Sequence, residues 1–409
     1  MSKSPQSSQR NTAEDIGVGV HAPRVFFTPA RLRAYPKILL ITYILSALLI
    51  IAIWGPDRLP FPRLGTDFVA MYGAGDLANQ GRSSEAYDTR ALVGNYRRIL
   101  PEVDYVVGWA YPPVILPVFQ VLAIFPFSIA HLIWMGATAG LLATALRPLL
   151  KSGAEGWAIA AAPAVAYTVV TGQTAFLVAA LVLIFVQQLD RHPARAGLAL
   201  GALCVKPHLA VLLPLLAIAT GKWRALGTAC LLTAALVVLS VVLYGLDPWL
   251  VFIQENPAIV SDIVTGGHVA WRLMASPYTL ALSLGMTSAM AVGLQIAFML
   301  AVASATVIFL ARGAPLPQVA AFAVAAAIPA TPYNFTYDWV LLIYPLLKLA
   351  RDPQLRRPIK TITILAIYLA PLSMVFEPFG PDFAFGTVLL LILVMLHGWI
   401  CWRDTKNGA

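Results

Sequence analysis

Residues 223–244 read WRALGTACLLTAALVVLSVVLY, 22 positions in which the only formal charge is Arg224 at the second position. An apolar stretch of roughly 18 residues or more with few charges is long enough to cross the hydrocarbon core of a bilayer as a helix. Basic residues stand at its start, Lys222 and Arg224, and an aromatic residue, Tyr244, stands at its end. The same texture recurs over Ile38–Trp54, Pro126–Leu146, Met286–Leu310, Ile359–Phe376 and Phe383–Trp402, with shorter apolar runs at Trp157–Val170, Thr174–Leu189, Ala194–Val205, Pro207–Thr220, Gln318–Ala330 and Trp339–Leu349. Apolar residues make up 59% of the 409 and charged residues only 11%, whereas a soluble domain carries about 25% charge. So few charges exclude a soluble globular enzyme, and so apolar a chain excludes a disordered one. Cys204, Cys230 and Cys401 all lie within apolar runs, which excludes a disulfide scaffold.

Charge orients these spans, because Lys and Arg concentrate on the cytoplasmic side. With the N-terminus inside, the inner segments hold 20 of the 28 basic residues and six of the 19 acidic ones. The net charge of +9 is therefore a topology signal and not a nucleic-acid footprint. Keeping the later basic loops inside requires Tyr111–Phe125 to be a short re-entrant or half-crossing segment closed by Phe125-Pro126-Phe127. The expectation is an all-α polytopic membrane protein of about 12 transmembrane helices with both termini cytoplasmic. Residues 1–30 read as a disordered cytoplasmic tail and 31–409 as a single transmembrane domain; the first span is a signal anchor, since no small-residue cleavage site follows it.

Seven acidic residues fall in one outer loop, residues 55–110: Asp57, Asp67, Asp76, Glu85, Asp88, Glu102 and Asp104. A loop this long is functional or disordered, and this one is not of low complexity. Residues 67–78, DFVAMYGAGDLA, read as a short surface helix with Asp67 at or near its N-cap. Phe68 and Tyr72 share one face, and Gly73, Gly75 and Ala78 permit close approach to other helices. A capping carboxylate is the plain alternative for Asp67; for Asp57, Glu85, Glu102 and Asp104 solvated loop charge is the preferred reading. The second candidate is Lys206, in Leu203-Cys-Val-Lys-Pro-His208. The inner anchors Arg191/Arg195 and Lys222/Arg224 put this position on the outer side, against the charge bias. An ionisable group at membrane depth costs about 2.5–3.5 kcal/mol on insertion scales and is a functional candidate, here as a point charge for a phosphate; a snorkelling Lys is the alternative. Gln173 in Thr171-Gly-Gln-Thr174 suits a hydroxyl-rich ligand or a helix cap. Asp338, among the aromatics of residues 333–339, suits sugar binding, although an interfacial aromatic belt explains the Tyr and Trp equally well. Arg272, near His268, is a second phosphate candidate.

There is no zinc spacing of His, Cys and Asp, no Walker loop and no nucleophile elbow, so no metal or cofactor is expected. The segments outside the membrane are too small for a nucleotide-sugar domain; an enzyme built this way takes a membrane-borne donor. Taken in order, Gly65-Thr-Asp67-Phe, Tyr72-Gly-Ala-Gly75, Ala78, Gly81, Tyr87-Asp88, Tyr111-Pro-Pro113, Gly172-Gln173, Ala196-Gly197, Gly201, Lys206-Pro207, Thr331-Pro-Tyr333 and Tyr337-Asp338 resemble glycosyltransferase family 87, bacterial polyprenyl-phosphate-mannose-dependent mannosyltransferase-like proteins of the GT-C class. The likeness runs from about Pro36 to the end; residues 81–88, GRSSEAYD, are longer than the family's usual Gly-x-x-Pro-Tyr-Asp. The resemblance implies a GT-C-type bundle in a bacterial inner membrane, its active site facing the periplasm. It implies Asp67 as general base on the acceptor hydroxyl and Lys206 on the donor phosphate, and it matches Gln173 and Asp338 to family positions without a fixed role. The candidate substrate-binding set is Tyr72, Asp76, Tyr87, Tyr111, Gln173, His208, His268 and Asp338, in which His208, beside a proline, reads more readily as structural. The implied partners are a polyprenyl-phosphate sugar donor, a glycan or lipid acceptor and membrane lipid. A non-enzymatic lipid-linked sugar flippase is the competing reading; it calls for inverted repeats, and none is visible. A membrane scaffold would not explain an outer-facing Lys206.

Overall fold

A computed structural model describes residues 29–54, 65–101, 103, 105–265, 271–372 and 384–407. The tail up to residue 28, Asp57, Glu102, Asp104 and His268 lie outside the described residues. Among the described residues the secondary structure is helical throughout, with no strand. Four helices are long and apolar enough to cross a membrane: Phe127–Leu149, Trp223–Tyr244, Ser288–Ala311 and Phe385–Lys406. Two of them, Trp223–Tyr244 and Ser288–Ala311, expose most of their apolar surface, which soluble proteins rarely do. Only 11% of the Trp223–Tyr244 window is buried, and Leu231, Val238 and Val242 are each at least 60% exposed.

The described residues thus bear out a helical membrane protein with four long spans and not the expected count of about 12 crossings, and prolines divide some of the shorter apolar runs. The run Trp157–Val170 is two helices, Gly153–Ala160 and Pro163–Thr171. The helix Pro193–Ala202 gives way to the single turns Leu203–Val205 and Pro207–Ala210 before Leu213–Ala219. Pro163 and Pro207 each open a new helical segment, where the missing N–H costs nothing, and end the preceding one. Broken backbone at membrane depth is tolerated only where protein or a cavity receives it. The stretch Pro113–Leu122 is likewise too short to cross upright.

Small residues set the closest contacts. Gly197 and Gly201, four apart on the helix Pro193–Ala202, face Ala225 and Ala229, four apart on Trp223–Tyr244. A Cβ on Gly197 would lie 2.2 Å from the Ala225 carbonyl oxygen, so the two backbones touch as in small-xxx-small helix pairs. The first loop is itself folded. Its helix Phe68–Asn79 packs on Leu116–Leu122, and a Cβ on Gly75 would lie 2.1 Å from the Phe119 carbonyl oxygen. A second loop helix, Thr89–Ile99, is capped by Asp88, whose carboxylate accepts from the Arg90 N–H at 2.8 Å.

Ion pairs tie separate segments together: Asp190–Lys222, Glu155–Arg351, Asp352–Arg403, Asp76–Arg98 and Lys206–Asp338.

Candidate active site

The site is built where helices stop. Asp67 precedes the helix Phe68–Asn79, and Gln173 follows the helix Pro163–Thr171. Lys206 separates two single turns, and Asp338 lies in the turn Thr336–Leu342. The first two junctions are sewn together through the backbone. The Gly65 N–H donates to the Val170 carbonyl at 2.6 Å and the Asp67 N–H to the Thr171 carbonyl at 3.0 Å. Gly172 makes the junction possible. Its φ is +74°, and a Cβ there would lie 2.5 Å from the Phe68 Cβ, so a side chain is excluded both by conformation and by space.

Asp67 holds the N-cap position, yet its side chain makes no capping hydrogen bond. Its Oδ2 accepts instead from Gln173 Nε2 at 2.7 Å, and its Oδ1 has a long contact of 3.4 Å with the Thr66 hydroxyl. The plain capping explanation therefore fails at the side chain. Gln173 does not project as a free amide for a ligand; its amide clamps the carboxylate, while its Oε1 accepts from the Tyr111 hydroxyl at 2.5 Å. Burial pushes the Asp67 carboxyl above the usual carboxylate range, against the opposing pull of the Gln173 and Thr66 hydrogen bonds and of the Lys206 charge.

Lys206 is not a bare cation. Its Nζ lies 2.7 Å from Asp338 Oδ1, with both side chains buried, and 5.1 Å from the centre of the Tyr337 ring. Asp338 is fully buried, and its Oδ2 accepts from the Phe335 N–H at 3.2 Å. A buried charge of either sign requires this kind of partner. An ammonium has three N–H donors, so the pair still leaves Lys206 hydrogen-bonding capacity for a ligand.

A cavity of about 570 Å³ connects these groups. Asp67, Tyr111, Gln173, Lys206, His208 and Asp338 all line it, which brings together six of the sequence candidates from five separate segments. Others lie elsewhere. Tyr72 is buried behind the site, where its hydroxyl donates to the Phe125 carbonyl at 2.9 Å and closes the turn after Leu116–Leu122. Asp76 belongs to a polar cluster with Asn95, Gln80 and Arg98. Tyr87 does not line the cavity but supports it from behind, donating to the Tyr111 carbonyl at 3.0 Å and packing its ring edge-on against Phe252. Arg272, in the turn Trp271–Leu273, is not among the lining residues. Sequence reading missed Trp249, Phe252 and Asn256, which line the cavity from the helix Asp247–Thr265. Their spacing, i, i+3 and i+7, is that of one helix face, and this was the available signal. Among the described residues no three His, Cys, Asp or Glu side chains gather closely enough to hold a metal ion.

The arrangement can do two things chemically. A carboxylate that lines a cavity, with one oxygen held by Gln173 and the other in only a long contact with Thr66, can accept a proton. A cation in the same cavity can stabilise an anion as it forms. In comparison with known proteins, the family model described as Glycosyltransferase family 87 matches residues 109–345. That span contains Tyr111, Gln173, Lys206, His208 and Asp338, whereas Asp67 enters the site from outside it. No curated protein and no solved structure matches the chain.

Proposed function

The chain belongs to glycosyltransferase family 87, and on that premise we propose that it moves a hexose, mannose in the first instance, from a polyprenyl-phosphate donor to a glycan or lipid-linked acceptor on the outer face of a bacterial inner membrane. Membership of a glycosyltransferase family decides for an enzyme over a passive lipid-sugar carrier. The observation that carries the finer reading is the shared cavity, with Asp67 and Lys206 both among its lining residues.

The chemistry follows from those two groups. An acceptor hydroxyl attacks the anomeric carbon of the donor, and its proton passes to Asp67 Oδ1, the oxygen not held by Gln173 and only in long contact with Thr66. The new glycosidic C–O bond forms as the bond from the anomeric carbon to the phosphate oxygen breaks. The electron pair leaves with polyprenyl phosphate, whose added negative charge develops beside Lys206. A single displacement of this kind inverts the anomeric configuration and calls on no metal. Trp249, Phe252 and Val237 supply an apolar wall, which suits an isoprenoid lipid and the apolar face of a sugar ring. The excess of basic residues in the segments assigned to the inside supports cytoplasmic termini and an outward-facing site.

The test is Asp67→Asn, assayed for transfer from radiolabelled polyprenyl-phosphate mannose to lipids extracted from the native membrane. Loss of a general base removes about 10²- to 10⁴-fold of rate. Turnover should fall by that factor while donor binding and thermal stability stay near wild type. A variant that keeps wild-type turnover refutes the assignment.

A further inference from the structure

Gln173 and Tyr111 have no part in bond making or breaking, yet they form a hydrogen-bonded chain ending on Asp67. We infer that Tyr111 and Gln173 are positioning residues that fix which oxygen of Asp67 faces the acceptor hydroxyl, an inference that rests on Asp67 being the base.

Gln173 Oε1 receives two donors, the Tyr111 hydroxyl at 2.5 Å and the Thr174 N–H at 3.3 Å. Gln173 Nε2 then faces Asp67 Oδ2 at 2.7 Å. Turning the amide over would set an N–H against the Thr174 N–H and an oxygen against a carboxylate, two mismatches at a residue only 6% exposed. The amide therefore has one orientation, and Tyr111 helps to impose it. Tyr111 is fixed in turn: its hydroxyl also lies 3.1 Å from Thr174 Oγ1, and its carbonyl accepts from Tyr87. The backbone bond from the Asp67 N–H to Thr171 holds the other end. With Oδ2 held by Gln173 at 2.7 Å, Oδ1, which has only the 3.4 Å contact from the Thr66 hydroxyl, is the less engaged oxygen and takes the acceptor proton.

The consequence is a rate effect without a binding effect, because a misaimed base lowers turnover and leaves donor contacts intact. Tyr111→Phe, which removes a single oxygen, should lower kcat about 3- to 10-fold, the worth of one hydrogen bond. Gln173→Ala should lower it about 10- to 100-fold. In both variants KM for polyprenyl-phosphate mannose should stay within about twofold. Gln173→Glu is the diagnostic change. It sets a second carboxylate against Asp67, so the two compete for one proton and Asp67 ionises only at higher pH. The groups acting on Asp67 are unchanged by it: the charges of Lys206 and Asp338, the Thr66 hydroxyl, and the phenols of Tyr111 and Tyr337; the His131 imidazole packs beside Gly172 and the Phe68 ring. The acid limb of the kcat profile should move up by about one pH unit or more.

The experiment measures kcat, KM and pH profiles for the wild type and these three variants, together with the infrared carboxyl titration of Asp67, isolated by difference against Asp67→Asn. Reduced kcat with unchanged KM, and a raised acid limb and raised carboxyl midpoint in Gln173→Glu, are the expected results. Should Asp67→Asn abolish turnover while Tyr111→Phe and Gln173→Ala keep wild-type kcat, the positioning inference is overturned and the base assignment stands. Should Asp67→Asn keep its turnover, the base assignment falls, and the inference falls with it; the infrared midpoint then reports only whether the Gln173 contact to the carboxylate exists.

Discussion

Replacing Lys206 by Met separates a structural role of the ammonium from a functional one. Asp338 is fully buried and Lys206 is the cation paired with it, 2.7 Å away. Removing one partner of a buried pair leaves an uncompensated charge, at a cost of about 3–5 kcal/mol. Lys206→Met should therefore be markedly destabilised, and its loss of activity alone would say little. The double variant Lys206→Met/Asp338→Asn removes both charges, and swapping a buried pair for neutral groups is often close to neutral for stability. Its unfolding temperature in detergent should return towards wild type. Donor engagement should not return. A charge-assisted hydrogen bond to the donor phosphate is worth about 1.5–3 kcal/mol, which is about 10- to 150-fold in donor affinity. The assay pairs thermal unfolding with binding of polyprenyl-phosphate mannose, and compares free acceptor as a control whose affinity should change much less. A double variant that recovers both stability and wild-type donor affinity would show that Lys206 serves only to neutralise Asp338.

Two further expectations come from particular residues. Burial raises the Asp67 carboxyl above the ordinary range. The base is active only when ionised, so kcat/KM should fall as pH drops, with its acid limb above the roughly pH 4 of a free carboxyl; a limb at or below that value contradicts the buried setting of Asp67. Gly75→Val places a branched side chain where even a Cβ would lie 2.1 Å from the Phe119 carbonyl oxygen, so the first loop should be destabilised by about 1–3 kcal/mol or more; a wild-type unfolding temperature would deny the close packing of Phe68–Asn79 on Leu116–Leu122.

Much of this site was legible one segment at a time. Asp67 stood out because a carboxylate began a helix in an acidic but not low-complexity loop, and the helix is there, at Phe68–Asn79. Lys206 stood out because it breaks the charge bias of the spans. What local pattern could not supply is pairing across the chain. Lys206 meets Asp338 over 132 residues and Gln173 meets Asp67 over 106, and no spacing rule connects such positions. Gln173 thus read as a ligand-binding amide when it clamps a carboxylate. Tyr72 carried an aromatic-site signal, but that ring and hydroxyl are spent on the Phe125 turn. The apolar runs were legible as membrane material, yet which of them run as long helices and which break at Pro163 or at Pro207, beside the cavity, is a tertiary matter.

The central claim is that one cavity holds a sugar phosphate between Asp67 and Lys206. A structure of the intact protein with a non-transferable polyprenyl-phosphate mannose analogue tests it most directly. The account predicts the phosphate within about 3 Å of Lys206 Nζ and Asp67 on the face of the anomeric carbon opposite the phosphate. Sugar density away from both side chains, or Asp67 on the same face as the leaving phosphate, would contradict it.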